Sequence, residues 1–138
     1  MDILVGIPVN KEEELREKTF YFLIKIMGYR NQLRMNHWQT TSYSEHKWTD
    51  KLINKLTKSI DGIGETALGT LGRPKITTVS TNISDNAIAS SDWILEGLNN
   101  DVKEMLVEFK VTEYEGIISL LGELDSVIEQ YKYLSTLG

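Results

Sequence analysis

Cysteine is absent from this chain, and proline and histidine occur only twice each in its 138 residues. Without cysteine there is no disulfide framework and no zinc-thiolate site, so any metal must be held by histidine, aspartate or glutamate. The same absence fits a reducing compartment, and the chain reads as cytoplasmic. The two prolines stand at positions 8 and 74, and between them nothing removes a backbone N–H from a growing helix. The opening "MDILVGIPVN" contains no lysine or arginine, and Gly6 and Pro8 interrupt its apolar run. It therefore reads as neither a signal peptide nor a membrane span, and it offers no basic arm for a phosphate backbone. A net charge of -5 also argues against DNA as a partner. What remains, 41% hydrophobic and 25% charged residues, suits a single domain with one core.

Helical periodicity dominates that remainder. After a tail over 1–9, Asn10 and Glu13 stand as a capping box, and Leu15, Phe22, Ile26 and Leu33 recur at steps of seven, four and seven. One further step of four reaches His37, which predicts an inward-facing histidine at the end of a helix over about 11–38. A second helix over about 45–71 carries Trp48, Leu52, Leu56, Ile60, Ile63 and Ala67 on its core stripe and stops at Gly72 and Pro74. The polar, β-branched stretch 75–90 has no sustained period and reads as a long crossover. Ser91 can cap a third helix over about 92–110 with Ile94, Leu98, Val102, Met105 and Phe109 inward. Thr112 and Glu115 offer a capping box for a fourth, over about 113–136, with Ile117, Leu121, Leu124, Ile128 and Tyr131 inward. Four helices joined by short links on either side of one long crossover describe an all-α, ferritin-like four-helix bundle filling 1–138.

The second helix has another face. At 100° per residue, His46, Asp50, Asp61 and Glu65 fall within about 100° of one another, away from the apolar stripe. Taken alone, such a face reads as solvated charge. Asp50 and Asp61 are eleven residues apart, about 16 Å along the axis, too far to share one ion in one chain. The pairs His46/Glu65 and Asp50/Asp61 nevertheless share one midpoint, between Lys55 and Leu56. Two copies packed antiparallel about that point would bring Glu65 of one opposite His46 of the other, and Asp61 opposite Asp50. Clustered carboxylates need a cation or a raised pKa. Thr57 and Gly64 on this face are small enough to admit a second helix. A tight turn after the first helix would add His37, giving mixed nitrogen and oxygen donors suited to iron, manganese or zinc.

At these residues the sequence resembles the Dps family, the miniferritins. The resemblance rests on "HW" at 37–38, "HKWTD" at 46–50, "DGIGE" at 61–65 and "LGTLGRP" at 68–74. It implies an inter-subunit diiron ferroxidase centre with metal ligands His37, His46 and Asp50 from one subunit and Asp61 and Glu65 from its two-fold mate. It also implies that Trp38 lies beside the centre, that ferrous iron is oxidised by hydrogen peroxide or oxygen, and that the ferric product is stored in a homo-oligomer, a twelve-subunit shell in that family. The lysine-rich tails by which some members bind DNA are absent. A different class of function stays open beside this one: a ferritin-like structural or metal-binding oligomer without ferroxidase turnover.

Overall fold

A computed structural model describes residues 2–75 and 89–137, with side chains from Lys11 onward. Four helices account for most of them: α1 (Asp2–Gln39), α2 (Tyr43–Leu71), α3 (Ser91–Phe109) and α4 (Glu115–Leu134). There is no strand among the described residues. Every residue expected on an inward stripe is buried, from Leu15 in α1 to Tyr131 in α4, and His37 is only 8% exposed. The 3.6-residue period carries this result, because each apolar stripe has one way to leave water.

Helix α1 packs against α2 and α3, and α4 packs against the same two. Lys18 pairs with Glu108, Lys25 with Asp101, and Asn36 bonds Ser91, so α3 runs antiparallel to α1. The end of α2 lies by the first half of α1, where the Arg16 guanidinium donates to the Leu71 carbonyl at 3.2 Å. The start of α3 lies at the other end of α1, where Asn36 Nδ2 donates to the Ala89 carbonyl at 2.8 Å. The path expected for the crossover falls largely on residues 76–88, outside the described residues. No described helix is long and apolar enough to cross a membrane.

Helix ends differ from expectation in three places. The backbone of α1 is helical from Asp2, replacing the expected tail, so Asn10 lies inside the helix and not at its start. Extending a formed helix gains one bond per residue fixed, and Pro8, so near the start, leaves only the Leu4 carbonyl without its N–H. Ser90, not Ser91, caps α3, accepting from the Trp93 N–H at 3.2 Å. The Ser91 hydroxyl is buried and accepts from Asn36. Thr112 closes the end of α3 by donating to the Phe109 carbonyl at 2.6 Å, and α4 starts from Tyr114 with no side-chain cap. At α2 the local chemistry is fuller. The Ser42 hydroxyl accepts from the Glu45 N–H, Thr40 donates to the Glu45 carboxylate, and Thr40 Oγ1 accepts from the Ser42 N–H. Gly72 ends α2 with φ of 89°, a conformation that L side chains rarely adopt.

Tyr29 fills the seam between α1 and α3 where Gly97 has no side chain. A Cβ at Gly97 would sit 2.5 Å from the Tyr29 hydroxyl and 2.9 Å from its ring. Gly97→Ala is expected to cost about 1–3 kcal/mol of stability through overpacking, more than its gain in helix propensity, as read by urea unfolding. Burial first, then the charge of Asp101, pushes the Tyr29 phenol from 10.0 up to about 12. Below pH 10 the proton is held in both folded and unfolded chains. Above it the unfolded phenol ionises first, so stability falls between about pH 10 and about pH 12. Denaturation series over that window should show a shallower fall in Tyr29→Phe.

Candidate metal centre at the corner of the first two helices

The turn Thr40–Ser42 folds the start of α2 back onto the end of α1 and stacks His37 on His46, with ring centroids 3.9 Å apart and planes 16° from parallel. Each ring bonds the other residue's backbone. His37 Nδ1 lies 2.7 Å from the His46 carbonyl oxygen, and His46 Nδ1 lies 2.9 Å from the His37 carbonyl oxygen. A carbonyl oxygen only accepts, so both Nδ1 atoms carry the proton. In the neutral rings both Nε2 lone pairs are then unprotonated and able to bind a metal. Thr49 reinforces the tautomer of His37. Its hydroxyl donates to the Glu45 carbonyl at 2.6 Å, while its oxygen lies 3.2 Å from His37 Nδ1 as a second acceptor.

The remaining candidate residues divide by position along α2. Asp50 stands one turn after His46 and is half exposed, with its Oδ1 3.3 Å from Arg34 Nη1. Asp61 and Glu65 are exposed near the far end of α2, about 28 Å along the axis between His46 and Glu65. Among the described residues of one chain, no group of three or more histidine, aspartate or glutamate side chains could hold a metal ion. Trp38 follows His37 in the chain and is 66% exposed. Of the six candidates, the single chain brings together the two histidines, with Asp50 a turn away, and leaves the other two carboxylates apart.

Asp61 and Glu65 rim a groove of about 370 Å³ between α1 and α2, lined by Phe20, Leu23, Ile24, Met27, Ile60 and Leu68 among others. The small residues on this face also have neighbours within the chain. A Cβ at Gly64 would lie 3.6 Å from Leu23 Cδ1, and Arg30 Nη1 reaches Thr57 Oγ1 at 3.4 Å. Two features of the corner escape sequence reading. Thr49 was one signal away, sitting three residues after His46 on the inward side. Arg34, three residues before His37, falls on the His37 side of α1 and could have been read as a cation near the acids.

The hydrogen-bond exchange predicts a specific tautomer. In long-range ¹H–¹⁵N spectra of the neutral, metal-free rings, both imidazoles should show Nδ1 protonated and Nε2 bare; Nε2-protonated rings would contradict the exchange. Replacing His37 by phenylalanine keeps a ring in the stack but removes its donor, at an expected cost of about 1–2 kcal/mol in urea unfolding.

No curated protein and no solved structure matches the chain. One family model does match, over residues 37–134, from the first stacked histidine to the last residue of α4. The chain belongs to that family, described as a family of unknown function, DUF5856.

Proposed function

We propose that the protein is a ferritin-like, Dps-like ferroxidase and iron-storage protein whose diiron site forms between two copies of the chain. The observation that carries this reading is the stacked histidine pair with both Nε2 atoms unprotonated, one turn from Asp50. Metal-binding histidines have their other ring nitrogen fixed by just such an acceptor. The shared midpoint of His46/Glu65 and Asp50/Asp61 supports a two-fold mate that would supply Asp61 and Glu65. The apolar groove beside those two carboxylates gives the mate a surface to bury. The positions of the α2 end and the α3 start at opposite ends of α1 support ferritin-like connectivity. Assembly of the dimers into a hollow shell belongs to the same reading.

Ferrous iron is the substrate. Two imidazoles and Asp50 from one subunit, with Asp61 and Glu65 from the other, would bind two ferrous ions. Zinc and manganese suit the same donors. The carboxylate charge favours the ferric state over the ferrous one. Each ion gives up one electron, and one hydrogen peroxide accepts both, breaking its O–O bond to leave two hydroxides. Trp38, beside the site and exposed, is positioned to donate an electron to a stray oxidant before it escapes.

His46→Ala and Glu65→Ala are expected to lower ferrous oxidation to the uncatalysed background while helicity and mass by light scattering stay as in the wild type. Anaerobic ferrous titration followed by peroxide, read by ferric absorbance, checks it. Undiminished oxidation in either variant would remove the proposal.

A further inference from the structure

The α1–α2 seam already holds a cation beside the candidate ligands. Arg34 lies three residues before His37 on α1, and Asp50 lies four residues after His46 on α2. Their ion pair therefore sits one turn from the stacked rings, at 3.3 Å, with the two side chains 35% and 50% exposed. No other ion pair or hydrogen bond to Asp50 is found among the described residues. We infer that Arg34 is the internal counter-ion of the metal site: it holds Asp50 in the metal-free chain, and a divalent cation must displace it to bind. The inference rests on the reading of Asp50 as a ligand given above.

Three physical features support the inference. The guanidinium is a cation held against the Asp50 carboxylate, so it competes with a metal ion for the same oxygen. It is a monocation with an exposed partner, so the contact is weak enough to yield. An exposed ion pair is worth up to about a factor of five in an equilibrium constant. A buried bidentate pair would block the site instead. Once released, the arginine remains near Arg30 on the same helix, and among the described residues Arg30 bonds Thr57 alone. Metal loading would then convert a neutral pair at the seam into a bound cation beside two guanidinium groups. Arg34 is thus a positioning residue that weakens affinity for the first ion.

The test uses cobalt(II), a redox-inert probe, with the full-length chain in its native oligomeric state. Calorimetry and visible absorption would compare wild type with Arg34→Gln, Arg34→Lys and Asp50→Asn. Arg34→Gln is expected to bind cobalt about five times more tightly than wild type, and Arg34→Lys to stay near wild type. Raising salt from 50 to 500 mM should narrow the gap, because salt screens the arginine. A merely structural arginine would lower the melting temperature without tightening binding. Loss of binding in Asp50→Asn with unchanged or weaker binding in Arg34→Gln would overturn the counter-ion role and leave the metal site standing. Equal binding in wild type and Asp50→Asn, or none in wild type, would overturn the metal-site reading and this inference together.

Discussion

The exchange of imidazole N–H groups for backbone carbonyls at the corner of α1 and α2 is the interaction on which the rest of the proposed chemistry depends. The last carbonyls of a helix have no partner within it, and the His37 carbonyl lies in that group. His46 satisfies it, and His37 in return bonds a carbonyl in the first turn of α2. One pair of contacts thus ends one helix, anchors the next, and fixes which ring nitrogen carries the proton. Thr40, Ser42 and Glu45 close the same turn, so the corner is held by side chains on both sides of the link.

The other seam of the bundle uses a comparable device without histidine. Asn99 of α3 is 5% exposed and donates to Glu129 at 3.0 Å and Asp125 at 3.3 Å, while its Oδ1 accepts from Lys132 at 3.4 Å. Lys103 bonds both carboxylates as well. A buried amide is costly unless every polar atom finds a partner, and here the three partners come from one face of α4. The acids of this cluster are already neutralised by lysine, in contrast to Asp61 and Glu65 on α2, for which no ion pair is found among the described residues.

Helix faces were the most legible part of the sequence. The stripes on all four helices are buried as their spacing predicts, because an apolar residue every third or fourth position has a single low-energy side to pack. Helix ends were less legible. Ser90 and Ser91 are both good caps by type, and which one caps depends on Asn36 arriving from α1 to take the other hydroxyl. Gly64 reads from its helix position as room for close approach, and within the chain the side chain that it meets is Leu23. Wheel position says which direction a residue points, and only packing says what lies there.

The sequence by itself determined the helical class, the buried stripes, the inward position of His37, and the recurrence of His46, Asp50, Asp61 and Glu65 along one side of α2. These follow from local periodicity, which needs no knowledge of neighbours. Tertiary structure alone decided that the two imidazoles stack and share a tautomer, that Arg34 holds Asp50, and that an apolar groove lies beside Asp61 and Glu65. Those facts concern contacts of a few ångströms between α1 and α2, and such contacts depend on the turn between them and on the depth to which the helices interlock. Neither quantity is written in the spacing of residues along one helix.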